Sequence, residues 1–207
     1  MGRSIIEDPT TGTGAHVDKN QHLHVEAVTR DEKDQAAKKG WKFNVNTGDI
    51  TITNTTKITA LYIKNTGDYD LVVNSLIYNL GNTTSGTGDV LIEVKRNPTA
   101  GDIITNANNC DVGAGVEANQ NFGSTETMTG LFYKGAQGET AVSGGDGVTI
   151  STRSAANTGR ILISLGAMSL PKGSAMSVDY TPPGSNSSQI IQIAAAVHIK
   201  HPDVAAE

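Results

Sequence analysis

From Trp41 to Lys200 the chain is a series of short runs in which apolar and polar residues alternate, separated by turns rich in Gly, Asn, Pro and Ser. Such alternation is typical of β-strands that bury one face, because successive side chains of a strand point to opposite sides. The sequence therefore predicts an all-β body of nine or ten strands. The runs are WKFNVN, DITIT, KITALYIKN, TGDYDLVVNSLIYNLG, DVLIEVKRN, ETMTGLFYKG, GVTISTR, GRILISLGAMSL, SAMSVDYTPP and SQIIQIAAAVHIK.

Two antiparallel sheets packed face to face are the natural way to bury so many half-apolar strands. Aromatic residues make up only 4% of the chain, so the core has to be mainly aliphatic, while 23 Gly supply the turns. Eight or more strands with several long connections favour a jelly-roll-like antiparallel β-sandwich over residues 41–200. An immunoglobulin-type sandwich is less favoured because its Cys–Trp–Cys framework is missing.

Residues 1–40 read as an extended N-terminal arm. The runs HVD and HLHVEAV flank KNQ and predict a small hairpin, which alone is marginally stable in water. The stretch TRDEKDQAAKKG predicts one short helix, with Thr29 and Glu32 as a capping box and Gly40 in the left-handed position after its end. Because this helix is polar on nearly every side, it is interpreted as a solvated spacer. Residues 201–207 are expected to form a flexible tail.

The stretch from Pro98 to Ser124 places more than twenty residues, rich in Asn, Gly and Ala, between two predicted strands. Compact domains usually join strands with a few residues, and longer loops tend to be functional or disordered. We expect this loop to lie at a subunit interface, where a neighbouring subunit supplies partners for its backbone groups.

Cys110, the only cysteine, lies in this loop. A reactive thiolate needs a nearby base, cation or helix N-terminus, and the surrounding TNANNCDVGAG contains none. The adjacent carboxylate of Asp111 also disfavours the thiolate. Cys110 is therefore interpreted as a bystander.

The histidines of the arm are the candidate metal ligands. His22 and His24 share one face of a predicted strand, and His16 could join them across the hairpin. A zinc site needs three or four ligands with a supporting shell, and here the further ligand would be Asp18 or Glu26. We interpret these histidines as polar strand residues and predict no metal site.

The remaining motifs also have structural interpretations. His198 and His201 are near the chain end and are expected to be solvated. Asp68 and Asp70 bracket Tyr69 at a turn, where Asp is favoured for its local hydrogen bonds. The segments GTGAHVD and SGTGD lack the Gly-Lys-Ser/Thr ending of a phosphate loop. The sequence thus predicts no catalytic, cofactor-binding or metal-binding residue, and no enzyme.

Charge and hydropathy argue against two classes of partner. The formal net charge is -5, from 21 acidic and 16 basic residues, and no basic patch is present, so a nucleic-acid partner is not expected. No stretch is apolar for eighteen residues, so neither a transmembrane helix nor a membrane partner is expected.

A series of stretches along the chain resembles a known group of proteins. In order, they are HVDKNQHLHVEAVT, NVNTGDITIT, ALYIKNTGDYDLVV, YNLGNTTSGTGD, VKRNPTAGDII, NQNFGS, YKGAQGET, LPKGSAMSV and TPPGSNSSQ. The series resembles tailed-phage virion structural proteins of about this length, common in marine phages. The resemblance implies a capsid decoration or cement protein with a jelly-roll body, located on the capsid surface of the virion and made in the host cytoplasm. It transfers no catalytic residue.

Two hypotheses follow. The first is a decoration or cement protein that stabilises the head shell through its arm and long loops. It would bind the major capsid protein or another virion protein and form a homo-oligomer, preferably a trimer. The alternative is a tail or head-fibre component that binds a host-surface glycan. That function needs exposed aromatic residues, and only Trp41, five Tyr and three Phe are available.

Overall fold

The structure, a computed structural model, describes residues 6–7, 14–17, 23–24, 32–81, 89–145, 149–156, 159–184 and 188–201. The chain forms two compact units, Met1–Asp31 and Glu32–Glu207. In the first unit, strands β1 (Ile6–Glu7), β2 (Gly14–Val17) and β3 (Leu23–His24) form an antiparallel sheet in that order. The predicted hairpin is confirmed by the pairing of β2 with β3. Of the expected tail, only residue 201 lies within the described ranges.

Within its described residues, the second unit contains all ten strands that the alternation predicts, together with two short α-helices and one 3₁₀ turn. The helical elements are α1 (Glu32–Lys38), α2 (Asp102–Thr105) and the 3₁₀ turn Val116–Ala118. The strands are β4 (Lys42–Asn46), β5 (Ile50–Ile52), β6 (Ile58–Asn65), β7 (Asp70–Leu80), β8 (Asp89–Arg96), β9 (Gly130–Lys134), β10 (Thr149–Ala156), β11 (Gly159–Leu170), β12 (Ala175–Thr181) and β13 (Gln189–Lys200).

The strand pairing is that of a jelly roll. Eight strands pair as one long antiparallel hairpin: β4 with β13, β6 with β12, β7 with β11 and β8 with β10. Rolling this hairpin up adds the pairs β7 with β13 and β8 with β12. The result is sheet I, in the order β10-β8-β12-β6-β9, and sheet II, in the order β11-β7-β13-β4 with β5 beside β13. The predicted jelly-roll-like sandwich is therefore confirmed.

The main core lies between the two sheets and follows the alternation. In β13, Ile191, Ile193, Ala195 and Val197 are buried, whereas most of the residues between them are partly exposed. Burying one large aliphatic side chain contributes about 1.5–3 kcal/mol. Strands β6 and β12 depart from this pattern, since nearly every residue of both is buried. The outer face of sheet I must therefore also be covered.

Helix α1 lies against sheet II. Its Ala36 is completely buried, and the helix contacts β13 and β4. The Trp41 N–H donates a 2.7 Å hydrogen bond to the carbonyl of Ala36, and Gly40 adopts a φ of 76°. The predicted role of Gly40 in ending the helix is confirmed, because its φ lies in the left-handed region, which glycine adopts without steric cost. The interpretation of this helix as a solvated spacer is wrong, because burial of the one small side chain of Ala36 is enough to pack the short helix against sheet II. Thr29 lies outside the described residues.

His198, expected in solvent, is instead buried on the outer face of sheet II next to α1. Its Nδ1 lies 2.9 Å from Nδ2 of Asn74, and its Nε2 lies 3.6 Å from Oε1 of Glu32. Because an amide NH₂ can only donate, Nδ1 is the acceptor and the neutral ring carries its proton on Nε2. Burial lowers the pKa of His198, and the Glu32 carboxylate opposes this only in part. The expectation that His198 is solvated was wrong, because its position near the end of the sequence does not reveal that helix α1 covers it.

Candidate interaction surface

The largest departure from the strand pattern lies between β8 and β10. Residues 97–145, here called the cover segment, contain α2, the 3₁₀ turn and β9. Ile103 and Val142 of this segment pack with Tyr62 and Ala175 of sheet I in a second, smaller apolar cluster. The parts of the cover segment that carry Ile103 and Val142 thus lie on the outer face of sheet I, which explains why β6 and β12 are buried on both sides.

A buried polar network joins the cover segment to sheet I. Asp179 is completely buried, and its Oδ1 accepts a 2.7 Å hydrogen bond from the hydroxyl of Thr59. That hydroxyl accepts a 2.8 Å hydrogen bond from the N–H of Val142. The Nζ atoms of Lys95 and Lys57 lie 2.8 and 3.3 Å from Oδ2 of Asp179. A buried carboxylate is tolerated when it is paired and hydrogen-bonded in this way, so the network fixes the cover segment in one position.

Many backbone N–H and C=O groups of the cover segment form hydrogen bonds with other residues of the same chain. The N–H of Asp102 donates to the carbonyl of Thr140 at 3.3 Å, and the N–H of Thr140 donates to Oδ2 of Asp102 at 2.7 Å. Ala100 and Ser143 form a β-bridge next to this pair. The expectation that a neighbouring subunit supplies the loop's backbone partners is wrong for these residues. The partners lie about forty positions further along the chain, where sequence patterns do not reveal them.

The middle of the cover segment closes one side of the sandwich. The N–H of Cys110 donates to the carbonyl of Phe132 on β9 at 2.9 Å, and Val112 forms a β-bridge with Asn46 on β4. Cys110 and Met128 also join the main core. Strand β9 is one edge of sheet I, and β4 is one edge of sheet II. The segment therefore protects two sheet edges that would otherwise offer unpaired backbone groups.

A compact turn after this closure carries Phe122. Asn119 Nδ2 donates to the carbonyl of Gly40 at 2.7 Å, and Asn119 Oδ1 accepts the N–H of Asn121 at 2.8 Å. Asn121 Nδ2 donates to the carbonyl of Lys38 at 2.9 Å, and its Oδ1 accepts the N–H of Gly123 at 3.1 Å. These amides hold the backbone while the Phe122 side chain is 99% exposed. Aromatic side chains in such positions are typical interface anchors.

Phe122 was not singled out from the sequence. The available signal was the stretch NQNFGS, in which one aromatic residue is surrounded by turn-forming residues. Alternation identifies apolar residues of strands that face a core. It does not tell whether an apolar residue in a turn, such as Phe122, is buried or exposed. Val116, also in the cover segment, is exposed as well.

Cys110 has the environment of a structural thiol. It is buried, and burial raises its pKa to about 12, with Lys134 opposing and Asp111 reinforcing the shift. A thiol with that pKa is almost entirely protonated at neutral pH, whereas nucleophilic cysteines have lowered pKa values. The geometry therefore agrees with the interpretation of Cys110 as a bystander.

The histidines of the arm are described only in part. The backbone register places His16 opposite His24, whereas His22, Asp18 and Glu26 lie outside the described residues. Across the part of the chain that the structure describes, no three His, Cys, Asp or Glu side chains converge as a metal-ligand set. Within the same ranges, no helix has the length and apolarity needed to cross a bilayer.

An aromatic cluster lies beside helix α1. The rings of Trp41 and His201 stack with centroids 4.5 Å apart, and Tyr69 meets His201 at 4.3 Å. The Nζ of Lys39 lies 5.2 Å from the centroid of a Trp41 ring. Tyr69 is 43% exposed. At the nearby turn, Asp68 pairs with Lys172 and Asp70 accepts a hydrogen bond from Ser169, so the partners of these two carboxylates are distant in sequence and not local.

No protein-family model and no characterised protein matches this chain by sequence. Among solved structures, the VP2 protein of infectious bursal disease virus in derived T=1 particles is 12% identical, with a TM-score of 0.20, over 80% of this chain and 42% of that one. The T13 particle of the same virus gives 13% identity and a TM-score of 0.18, over 80% and 41% of the chains. The Gt strain gives 12% and 0.17, over 99% and 48%. This chain spans less than half of those proteins, and TM-scores this low carry no argument about its function.

Proposed function

We propose that this chain is a virion structural protein, and more specifically a capsid decoration or cement protein of a tailed phage. The observation that carries the proposal is the Phe122 turn, in which a fully exposed aromatic ring stands on a hydrogen-bonded base. A ring held in this way is suited to docking onto another protein. The proposal also rests on the sequence resemblance to tailed-phage virion proteins.

The body suits a role in which shape matters more than chemistry. The cover segment closes one side of the sandwich and fixes its loops through the Asp179 network. A rigid body presents its contact residues with little conformational entropy left to lose on binding. In this proposal the protein has no catalytic role, and its work is to hold neighbouring shell proteins together.

The partner in this proposal is the major capsid protein or another virion protein, and residues 1–28 act as an anchoring arm. Short strands of the kind found in β1, β2 and β3 bury little surface on their own. Ordering them costs conformational entropy, and contacts with a partner surface offset that cost best. The protein acts as a homo-oligomer, with a trimer preferred because capsids offer threefold sites. Its place is the capsid surface, after synthesis in the host cytoplasm.

Density-gradient co-banding tests this function. Purified full-length chain is mixed with phage heads that lack it, and the gradient fractions are probed with an antibody against the chain. We expect the full-length chain to band with the heads, and a variant lacking residues 1–28 to bind more weakly while melting at an unchanged temperature. A full-length chain that remains at the top of the gradient would contradict the proposal.

The aromatic cluster supports a second candidate, a tail or head-fibre component that binds a host glycan. Sugars stack on exposed aromatic faces, and Tyr69 is the most exposed ring of the cluster. A glycan array probed with the full chain and with Tyr69→Ala tests this candidate. Binding of one glycan class that the variant loses would favour it over the decoration role, and an array without binding would remove it.

A further inference from the structure

We propose that the side chains of Lys95 and Asp179 condense to an amide, so that a covalent bond joins strands β8 and β12. The inference goes beyond the proposed function, because it concerns a modification that the chain carries out on itself and that needs no partner. The ion pair between these two residues is then the state in which the chain folds, and its contribution to stability is that of the unreacted chain.

The two reacting groups lie in contact inside the fold. Asp179 is completely buried, and its Oδ2 lies 2.8 Å from Nζ of Lys95, whose side chain is 14% exposed. Strand pairing places Asp179 opposite Glu93, and Lys95 follows two residues later on the same face of β8. Well-oriented reactants that are held together reach effective concentrations of about 10⁵–10⁸ M. The fold therefore favours a reaction between these two groups.

Asp179 is oriented as the acyl group of this reaction. The hydroxyl of Thr59 accepts the N–H of Val142 at 2.8 Å, so its own hydrogen points to Oδ1 of Asp179 at 2.7 Å. A hydrogen-bond donor in that position stabilises the negative charge that develops on Oδ1 when the carboxyl carbon is attacked. Oδ2 forms no hydrogen bond with the described residues, although two ammonium groups lie within 3.3 Å of it. Oδ2 is therefore the oxygen that leaves.

Of the two lysines beside this carboxyl group, Lys95 is the nucleophile. Lys57 contacts Glu93 and lies 3.3 Å from Oδ2 of Asp179. Burial lowers the pKa of Lys57, but Glu93 and Asp179 outweigh burial and raise the pKa overall, so Lys57 stays an ammonium. Lys95 is closer to Asp179, and its side chain is 14% exposed against 32% for Lys57. Its Nζ also lies 3.5 Å from the carbonyl of Val142, beneath the cover segment.

The reaction balances without any co-reactant. One proton passes from the Lys95 ammonium to Oδ2 of Asp179, which gives a neutral amine and a neutral carboxylic acid. Burial favours this neutral pair, because charged groups lose the most solvation inside a protein. The lone pair of Nζ attacks the carboxyl carbon and forms the C–N bond. The bond from that carbon to Oδ2 then breaks, and the oxygen leaves as water with a second proton from Nζ, which the neighbouring Lys57 ammonium relays.

The new bond would close a covalent loop around the cover segment. The chain between Lys95 and Asp179 contains residues 97–145 together with β10 and β11. A cross-link over a long loop stabilises a protein mainly by restricting its unfolded chain. Condensation also removes two charges whose burial is costly. The amide would therefore keep sheet I and its cover together under heating.

Mass spectrometry of the purified, denatured full chain tests the inference. We expect an intact mass lower than that of the sequence by one water molecule. We also expect trypsin to release a branched peptide in which Lys95 is joined to Asp179, because trypsin does not cleave after an acylated lysine. The branched peptide distinguishes this amide from a cyclised aspartate elsewhere, which also loses water. An unchanged mass after prolonged incubation at neutral pH would overturn the inference, as would loss of water without the branched peptide.

Conservative variants identify the nucleophile. Lys95→Arg keeps the positive charge beside Asp179 but cannot form the amide, so it should retain the full mass and melt about 10 °C lower. Lys57→Arg should still lose one water, as should the control Lys172→Arg, which changes an exposed ion pair. A branched peptide linked through Lys57 would overturn the assignment of Lys95. If Lys95→Arg fails to fold, the peptide map of the unaltered chain still decides between the two lysines.

Discussion

The hydroxyl of Thr59 donates a 2.7 Å hydrogen bond to the carboxylate of Asp179, 120 residues further along the chain. The same hydroxyl accepts the N–H of Val142, so one oxygen atom connects β6, β12 and the cover segment. Both strand residues lie on the face of sheet I that points away from the main core. The position of the cover segment, and with it the closed side of the sandwich, depends on polar groups as well as on the apolar cluster.

Asp179→Asn should destabilise the protein strongly. The Nζ atom of Lys95 then lies beside a neutral amide, whereas Lys57 retains its ion pair with Glu93, and breaking a buried ion pair from one side is costly. We expect the free energy of unfolding to fall by about 2–3 kcal/mol, since both lysines are partly exposed. Urea denaturation measures this. Asp68→Asn, which removes the exposed ion pair with Lys172, is the control and should barely shift the midpoint. Equal shifts in both variants would contradict the role of the network.

Gly135→Ala should also be destabilising, for a steric reason. A methyl group at Gly135 would overlap the backbone carbonyl oxygen of Thr59, where β9 leaves the sheet. Overpacking of this kind costs typically about 1–3 kcal/mol. Thermal melts followed by circular dichroism measure the loss. Gly184→Ala, with no atom in reach of the added methyl group, is the matched control. A melting temperature for Gly135→Ala that equals the control's would argue against the close approach.

His198 should make stability depend on pH. Burial lowers the pKa of His198 below its ordinary value of 6.5, Lys33 and Lys42 act in the same direction, and Glu32 opposes them. The unfolded chain therefore takes up a proton at a higher pH than the native chain does. The stabilisation is complete above pH 6.5 and is lost as the pH falls from there towards the lowered native pKa.

Unfolding free energies measured between about pH 8 and pH 5 check this expectation. His198→Gln should show a flatter pH profile than the unaltered protein. Parallel profiles for His198→Gln and the unaltered chain would show that this histidine does not titrate differently on unfolding.

Cys110 should resist alkylation in the native protein. Its pKa of about 12 and its burial leave very little accessible thiolate at neutral pH. We expect iodoacetamide to label it slowly in buffer and rapidly in urea, as followed by mass spectrometry. Cys110→Ala should leave binding to phage heads unchanged. Rapid native labelling, or loss of binding in the variant, would show that the thiol has a role.

The strands could be predicted because their signal is local. Alternation of apolar and polar residues depends only on which face of a strand is buried, and it located all ten strands of the body. The jelly-roll pairing followed less directly, from the number of strands and the length of their connections. Residues such as Ile191 and Ile193 were assigned correctly because the main core is the only partner of their face.

What covers the outer faces could not be predicted in the same way. His198 and Asp179 both lie on faces that the alternation treats as outward, and both are buried by segments distant in sequence. Outside β9, the cover segment has no periodic pattern, because single contacts at scattered positions provide the partners of its polar and apolar groups. Phe122 is the opposite case, because it is an apolar residue that the surrounding turn holds exposed to solvent.

The most direct test of the central claim is a cryo-EM map of phage particles that carry this chain. The account predicts jelly-roll density on the outer surface of the head shell, with the Phe122 turn at a contact with another virion protein. The same density on the tail or on fibres would favour the glycan-binding candidate instead. Particles with no density for the chain, although it is expressed during infection, would contradict a virion role altogether.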